Sequence, residues 1–359
     1  MIATKKVFLI IPTLKQGGAE RVISELANYF FEQNIQVYVV LLADADDFYK
    51  LNPGVNVYRL GFKNFSKLGK ILSIFIVFFK LRNLLKRHKP DATLSFMDKY
   101  NIFTILSSAF LELRIFVSDR SNPLLNLPFI FRFFKKITYK YATGIIAQTS
   151  LSKLSLESLT GSKNIKVIPN PLKEVQLYPY IPRQNIILNI GRLVPEKGQK
   201  YLIDAFYQAN IKDWTLIILG DGPLRKDLEN QIEALDLNDR VILMGAVNNI
   251  DEWLAKSSLF VFSSISEGFP NALVEAMAAG LPCVSFDCDA GPRDIIVNGV
   301  NGILIRVGDV DALSDTMSKL VSDNTMSQMI AHNAMMVRSK YNLQSVGDIY
   351  LKFLINLES

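Results

Sequence analysis

Short hydrophobic runs alternate with longer amphipathic segments along the whole chain. In the first half, such runs predict buried strands at residues 7–11, 37–42, 92–96, 115–118, 144–147 and 166–168. In the second half they predict strands at 185–190, 214–219, 241–244, 259–262 and 281–286. Strands that alternate with helices are typical of doubly wound parallel sheets. The pattern therefore predicts an α/β protein with two such sheets in series.

The length of the chain agrees with two domains. A chain of 359 residues exceeds what one hydrophobic core usually serves. A proline-rich stretch with little periodicity, 169–182, is the predicted connector. We expect a first domain at 1–175, a second at 176–340 and a last segment at 341–359 that carries a helix.

The two halves differ in charge. Residues 1–180 contain 25 Lys and Arg against 12 Asp and Glu, whereas residues 181–359 contain 15 against 22. This asymmetry indicates that the halves face different partners, the first of them anionic. The acidic second half, together with the lack of a recognised binding motif, argues against nucleic acid.

One basic stretch of the first half is also rich in aromatic residues. Residues 48–90 hold ten Lys or Arg and no acidic residue, and 65–89 mixes these cations with Phe, Ile and Leu. A basic, aromatic and amphipathic helix is typical of contact with an anionic membrane surface. A helix packed on the sheet with its lysine stems along the surface is the alternative. Residues 129–136 are a second candidate contact.

Cysteines, histidines and apolar runs restrict the class of protein. Cys283 and Cys288, with only His88 and His332 elsewhere, predict neither a disulfide framework nor a metal site. We expect reduced thiols in a cytosolic protein, with no signal peptide before the first strand. The longest apolar run, 71–79, is too short to span a bilayer.

The most informative stretch is SEGFPNALVEAMAAG at 266–280. It follows a predicted strand, and it predicts a loop with Glu267 and then a helix with Glu275 that ends near Gly280. The N-terminus of such a helix suits a phosphate. Carboxylates accept hydrogen bonds from sugar hydroxyls. The stretch therefore predicts a site for a nucleotide sugar.

Two cations follow another predicted strand. Arg192 and Lys197 stand on a loop at the edge where α/β sheets bind ligands. Fixed cations near a departing diphosphate stabilise the transition state more than the ground state.

Glycines follow the first strand of the chain. Gly17 and Gly18 let a backbone approach a ligand closely, although a simple turn is the alternative. Neither this pair nor 220–222 has the G-x-G-x-x-G spacing, which argues against NAD. The 220–222 segment either shapes a ligand cleft or is only a turn.

These motifs together resemble the retaining glycosyltransferases of family 4, which have the GT-B fold. That fold implies two Rossmann-like domains facing across a cleft, with the last helix crossing back to the first domain. It also implies that Arg192 and Lys197 stabilise the diphosphate without a metal ion or other cofactor.

The resemblance also assigns donor contacts. Glu275 would accept from the ribose and Glu267 from the donor sugar, with Glu267 counted among the catalytic residues. The segment that includes Gly245 and Val247 would read the base, and Gly17 and Gly18 would face the diphosphate. The backbone that supplies N–H groups to the donor would be Gly268, Phe269, Pro270, Asn271, Ala272 and Leu273.

The acceptor side resembles family members that build bacterial surface polysaccharides. The resemblance rests on 117–123, where Arg120 and Asn122 would bind substrate. Many family members have a histidine near the reacting carbon, and Asp119 stands in that place here. Asp119 is either a general base for the acceptor hydroxyl or the cap of a turn. Residues 95–101 are expected at the same edge.

We therefore expect a retaining glycosyltransferase at the inner face of the cytoplasmic membrane. It would move a hexose or N-acetylhexosamine from a nucleotide sugar, with UDP as the expected nucleotide, to a glycan acceptor. A polyprenyl-diphosphate-linked acceptor would account for the basic and apolar first half. The alternatives are a sugar-nucleotide epimerase of the same fold and a non-catalytic membrane-bound scaffold.

Overall fold

The protein forms two compact units. The computed structural model describes residues 4–62, 67–120, 122, 128–176, 178 and 180–356. The first unit combines Met1–Pro171 with Leu343–Ser359, and the second unit is Leu172–Asn342. The chain thus leaves the first unit at Pro171 and returns to it at Leu343.

A parallel sheet forms the centre of the first unit. Within the described residues its seven strands are β1 (Lys6–Ile11), β2 (Gln36–Ala43), β3 (Asn56–Phe62), β4 (Ala92–Phe96), β5 (Ile115–Ser118), β6 (Gly144–Ala147) and β7 (Ile165–Val167). Their order in the sheet is β3-β2-β1-β4-β5-β6-β7. The strand order therefore reverses between β1 and β4, where the connecting loops of an α/β sheet diverge and bind ligands.

Helices accompany this sheet in the described part of the first unit. They are α1 (Gly18–Glu32), α2 (Lys67–His88), α3 (Asp98–Ser108), α4 (Phe129–Thr138) and α5 (Ser150–Thr160), with a 3₁₀ turn at Tyr139–Tyr141. In α1, Val22, Leu26 and Phe30 recur every four residues and are fully buried. This spacing places them on one face of the helix, which packs into the core of the sheet.

The second unit contains another parallel sheet. Its six strands within the described chain are β8 (Ile186–Ile190), β9 (Thr215–Leu219), β10 (Val241–Gly245), β11 (Leu259–Phe262), β12 (Cys283–Phe286) and β13 (Ile303–Ile305). The order β10-β9-β8-β11-β12-β13 puts the reversal between β8 and β11. The helices are α6 (Gln199–Ala209), α7 (Arg225–Ala234), α8 (Ile250–Lys256), α9 (Asn271–Ala278), α10 (Pro292–Ile295), α11 (Val310–Ser322), α12 (Asn324–Ala334) and α13 (Val337–Tyr341).

The last helix, α14 (Leu343–Ile355), is part of the first unit. Its residues Val346, Tyr350 and Leu354 are buried in the same core as α1. Gly347 lies against the ring of Tyr29, where a Cβ atom would come closer than 3.0 Å. The absence of a side chain at Gly347 therefore allows the two helices to pack closely.

The two doubly wound parallel sheets confirm the predicted fold class. The predicted strands are all present, and the structure adds β3 and β13 at the edges of the sheets. β3 carries Asn56 and Arg59 among its apolar residues, and β13 has three residues, so neither shows a long apolar run. Among the described helices, none combines the length and hydropathy needed to cross a bilayer.

Candidate functional site

Two loops leave the second sheet where its strand order reverses. One follows β8 and contains the 3₁₀ turn Pro195–Lys197, and the other follows β11 and leads to α9. The Ser263 hydroxyl donates to the Lys197 carbonyl at 2.9 Å, and the Ile265 N–H donates to the Glu196 carbonyl at 2.8 Å. These bonds join the loops at the sheet edge where ligands bind in α/β proteins.

Gly198 makes this close approach possible. Its φ of 61° lies in the left-handed region, which favours glycine. A Cβ atom on Gly198 would come closer than 3.0 Å to the carbonyl oxygen of Ser263. Because that obstacle is backbone, any other residue at position 198 would push the two loops apart.

Lys197 and Glu267 form an ion pair on these loops. The Lys197 Nζ lies 2.5 Å from Glu267 Oε1 and 5.8 Å from the centre of the Phe262 ring. The side chains are 25% and 11% exposed, respectively. The structure thus brings together two residues that the sequence predicted separately, and solvent still reaches the lysine. An incoming anion could therefore compete with Glu267 for the ammonium group.

Arg192, the second predicted cation, lies on the β8 loop with an exposed side chain. Its backbone carbonyl accepts a hydrogen bond from Gln199 Nε2 at 3.0 Å. The backbone of the loop is thereby held to the start of α6, while the guanidinium stays accessible to a ligand.

The predicted donor-binding segment enters α9 in a compact turn. The side chains of Phe269 and Pro270 are buried, and Gly291, with a φ of 106°, approaches Pro270 so closely that a Cβ atom would overlap it. Pro270 has no N–H group. The N–H of Asn271 donates to the Phe269 carbonyl, and the N–H of Leu273 donates to the Pro270 carbonyl. These two N–H groups could reach a ligand only by sharing their hydrogen bonds.

The rest of this segment is more accessible. Gly268 and Ala272 are half-buried, and so is Glu275, which lies within α9. α9 begins without an acidic residue in its first turn. Its N-terminus therefore keeps the positive end of the helix dipole available to an anion.

Gly245 ends the edge strand β10 with a φ of 77°. Its carbonyl accepts from the Gly220 N–H at 2.8 Å. Gly220, with a φ of 133°, lies so close to Gly191 that a Cβ atom would overlap the Gly191 carbonyl. Gly220, in the loop after β9, thus contacts both the loop after β8 and the end of β10. The 220–222 segment therefore helps to shape this edge of the sheet. Val247 is half-buried and packs against the apolar core beside α8 and α9.

In the first unit, the predicted glycines stand at the start of α1. Gly17 is the N-cap and Gly18 the first helical residue. A Cβ atom on Gly17 would meet the end of the flexible Glu20 side chain, which can move aside. Neither glycine has a φ in the left-handed region. The structure therefore places these residues between β1 and α1, at the edge where α/β sheets usually bind ligands, without a backbone reason for glycine at 17.

Asp119 lies after β5 in a buried ionic cluster. It pairs with Lys135 of α4, whose Nζ is also 3.3 Å from Asp98 Oδ1. Burial and, after it, the nearby carboxylate of Asp98 raise the pKa of Asp119 to about 7, although the Lys135 ammonium group opposes this rise. Sequence reasoning missed Lys135. Two aspartates after neighbouring strands were the available signal, because two buried carboxylates repel each other and a nearby cation relieves that repulsion.

Arg120 and Asn122 differ in their surroundings. The guanidinium of Arg120 lies 4.3 Å from the centre of the Phe96 ring, and it donates to Ser118 Oγ at 3.3 Å and to the Asn170 side chain. Arg120 is thus held by groups of its own unit. Asn122 is half-buried. Of the predicted 117–123 segment, residues 121 and 123 lie outside the described residues.

Most of the basic stretch 65–89 forms α2, and this helix exposes many apolar side chains. Its exposed side chains include Ile71, Leu72, Ile74, Phe75, Ile76 and Phe79. Lys80 Nζ donates to the Leu60 carbonyl, and Arg82 Nη1 donates to the carbonyls of Ser107 and Ala109. Two of the predicted membrane-contacting cations therefore hold α2 to its own unit. Residues 63–66 lie outside the described part of the chain.

Among the described residues, no group of three or more His, Cys, Asp or Glu side chains could hold a metal ion. The site residues described above offer ion pairs and backbone donors as their means of binding charged groups.

Comparison with known proteins identifies the family and the fold of the chain. The model of the glycosyl transferases group 1 matches residues 179–336, and that of glycosyltransferase family 4 matches residues 16–174. A GalNAc-alpha-(1->4)-GalNAc-alpha-(1->3)-diNAcBac-PP-undecaprenol alpha-1,4-N-acetyl-D-galactosaminyltransferase of Campylobacter jejuni is 28% identical over 99% of both chains.

A second Campylobacter jejuni relative is an N-acetylgalactosamine-N,N'-diacetylbacillosaminyl-diphospho-undecaprenol 4-alpha-N-acetylgalactosaminyltransferase. It is 25% identical over 98% of this chain and 100% of its own. Among solved structures, Anabaena HepE in complex with UDP superposes with a TM-score of 0.82 at 22% identity, covering 99% of this chain and 100% of HepE. The chain therefore belongs to the glycosyltransferases of family 4 and has the GT-B fold.

Proposed function

We propose that the protein is a retaining glycosyltransferase that moves a hexose or N-acetylhexosamine from a UDP sugar to a lipid-linked glycan. The Lys197–Glu267 pair at the switch point of the second sheet is the observation that carries this proposal. The names of the Campylobacter relatives support a glycan on undecaprenyl diphosphate as acceptor. The UDP complex of HepE agrees with a UDP donor. The relatives do not favour the epimerase or scaffold alternatives.

The Lys197–Glu267 ion pair can change partners when the donor binds. The β-phosphate of the nucleotide sugar takes the place of Glu267 beside Lys197, and Arg192 approaches the same diphosphate. Glu267 is then released to accept a hydrogen bond from a hydroxyl of the donor sugar, while Glu275 accepts from the ribose. Both carboxylates bind hydroxyls, so neither is required as a covalent nucleophile.

The reaction breaks the bond between the anomeric carbon and the β-phosphate oxygen. The acceptor hydroxyl oxygen bonds to the same carbon from the same face, and its proton passes to an oxygen of the departing UDP. Negative charge grows on the diphosphate as the bond breaks. Lys197 and Arg192 stabilise that charge, which accounts for a reaction that needs no metal ion.

The acceptor comes from a membrane surface in this proposal. The exposed apolar side chains of α2 and the aromatic side chains of α4 are suited to the interfacial region of a bilayer. The exposed cations Lys86 and Arg87 at the end of α2 would attract anionic lipids, each by about 1 kcal/mol. The protein would thus work as a peripheral enzyme at the inner face of the cytoplasmic membrane.

A donor panel tests the reaction. Purified protein is incubated with UDP-glucose, UDP-galactose, UDP-GlcNAc and UDP-GalNAc and a lipid-linked acceptor, and UDP release and product are measured with and without EDTA. NMR of the product reports whether the anomeric configuration is retained. Transfer abolished by EDTA, or an inverted product, would contradict the corresponding part of the proposal.

Lys197→Met tests the role of the ion pair. We expect transfer to fall roughly 100-fold or more, the usual effect of removing one charge-stabilising donor. Lys200→Met is the matched control, because Lys200 is an exposed lysine on neighbouring α6 whose ammonium lies 4.7 Å from the centre of the Tyr201 ring. Equal rates for the two variants would refute the role given to Lys197.

A further inference from the structure

Helix α4 is oriented in an unusual way. Its buried side chains are Lys135 and Thr138, whereas Phe129 is 82% exposed and Phe133 is 51% exposed. In water, a helix normally turns its aromatic side chains inward and its lysines outward. The buried ammonium group of α4 therefore needs groups of opposite charge beside it. The exposed rings of the same helix are accessible to a partner.

The buried charge of Lys135 is neutralised by carboxylates that follow two neighbouring strands. Lys135 pairs with Asp119, which follows β5, and its Nζ lies 3.3 Å from Oδ1 of Asp98, which begins α3 after β4. The Tyr139 hydroxyl donates to the same Asp98 oxygen at 3.2 Å, and Asn101 Nδ2 donates to the Tyr139 oxygen at 3.0 Å. The cluster joins α4 to the edge where the sheet of the first unit is expected to receive its ligand.

A buried ionic cluster of this kind is a weak source of stability, since apolar side chains of similar size often do as well. What it supplies is orientation. Directional bonds to two carboxylates hold the inner face of α4 in one position, and a purely apolar contact at Lys135 would not specify which face turns outward.

The charge around α4 suits an anionic lipid surface. Residues 121–156 contain no Asp or Glu, and they include Arg132, Lys135, Lys136, Lys140 and Lys153. Of these cations, Arg132, Lys136 and Lys140 are exposed beside the rings of the same segment. Exposed aromatic rings with cations around them are the features of an interfacial membrane helix.

We propose that Lys135 is a positioning residue that fixes the membrane-contacting helix α4 to the acceptor edge of the sheet through Asp98 and Asp119. The inference rests on the proposed function, in which the acceptor is embedded in a membrane. Contact of the α4 rings with lipid then places the loops after β4 and β5 at a set distance from the bilayer, where the acceptor diphosphate lies.

The variant Asp98→Asn/Lys135→Met tests the inference in the full-length protein. It removes the cation together with one carboxylate, so that two unpaired acids are not left buried, and it retains Asp119. Transfer is measured with the lipid-linked acceptor in vesicles of phosphatidylethanolamine and phosphatidylglycerol. It is also measured with the same glycan diphosphate on a short, water-soluble prenyl chain.

We expect the KM for the vesicle-embedded acceptor to rise about tenfold or more, because a small misplacement of reacting groups is costly. kcat/KM for the water-soluble acceptor and the Kd for UDP should change by less than about threefold. A merely structural role would affect both acceptors alike and would not produce this difference between them. Equal losses with both acceptors would overturn the proposal, since Lys135 would then act on the chemistry through Asp119 or on folding. Unchanged transfer with both would overturn it as well.

A second variant, Phe129→Ala/Phe133→Ala, keeps the cluster and removes two stacked rings whose centres lie 6.4 Å apart. We expect weaker flotation with the vesicles and the same selective rise in KM. Unchanged flotation accompanied by loss of a dimer in light scattering would assign the rings to a second copy of the chain and overturn the proposal. If the wild type transfers sugar to neither acceptor, the proposed function itself has failed.

Discussion

Replacing Gly198 by alanine should damage the donor site more than its small size suggests. The new Cβ atom would lie closer than 3.0 Å to the Ser263 carbonyl oxygen, whereas ordinary contact begins at 3.4 Å. Because the Cβ atom is fixed to the backbone of residue 198 and the obstacle is itself backbone, the β8 and β11 loops must separate. Lys197 is the neighbouring residue, so its ammonium group moves with the loop.

Gly299→Ala is the matched control for this change. Gly299 lies in the same unit with a φ of 77°, close to the 61° of Gly198, and a Cβ atom there would meet nothing within 4 Å. Both variants carry the left-handed backbone cost of about 1–2 kcal/mol. Only Gly198→Ala adds the cost of overpacking, about 1–3 kcal/mol. The thermal midpoint should therefore fall roughly 2–12 °C further than in the control.

The fluorescence of tryptophan reports this difference directly, because Trp214 and Trp253 both lie in the second unit. In the transfer assay, a displacement of about 1 Å at Lys197 should lower the rate roughly 100-fold relative to Gly299→Ala. Equal midpoints and equal rates for the two variants would show that the loops are not in contact at Gly198.

Further predictions concern buried titratable groups. Since burial, followed by the charge of Asp98, raises the pKa of Asp119 from 3.8 to about 7, the folded protein keeps a proton that the unfolded chain releases above about pH 4. Stability should therefore fall as pH rises from about 4 to 7, by up to about 1.4 kcal/mol per pH unit, and urea unfolding of Asp119→Asn should lack this slope. Burial also raises the pKa of the Cys288 thiol to about 12 and that of Cys283 further. Iodoacetamide at pH 8 should modify both thiols only after unfolding, and rapid labelling of the native protein would contradict their burial.

The central strands of both sheets could be predicted from sequence because they are buried on both faces. β1 and β11, for example, are almost entirely apolar and fully buried. β3 has a more polar pattern, and it is held at the edge of its sheet by pairing with β2. Such a strand depends on a neighbour that is distant in sequence, so its own residues give a weak signal.

The candidate donor site could be proposed from sequence as a set of residues but not as a set of contacts. The motif around Glu267 and the cation at 197 predict that this edge of the second sheet binds a ligand. Their ion pair depends on two loops whose key residues lie 70 positions apart, held together by Gly198 and Ser263. Loop contacts of this kind follow from tertiary packing, which local sequence patterns do not encode.

The burial of Lys135 could not be predicted for a different reason. Lys135 lies within 129–136, which the sequence predicts as a candidate membrane contact, whereas the structure buries its side chain. Only the two carboxylates after β4 and β5 show why that lysine is buried.

The two lysine–carboxylate clusters use the same chemistry at the carboxyl ends of the two sheets, and solvent access separates their roles. Lys197 is 25% exposed, so a ligand phosphate can reach its ammonium group and replace Glu267 at little cost. The side chain of Lys135 is 7% exposed and has two carboxylates as partners, so any replacement would leave charges buried and unpaired. Lys197 can therefore exchange its carboxylate for a ligand phosphate, whereas Lys135 cannot. A donor diphosphate should bind beside Lys197, while Lys135 keeps the same contacts throughout the reaction.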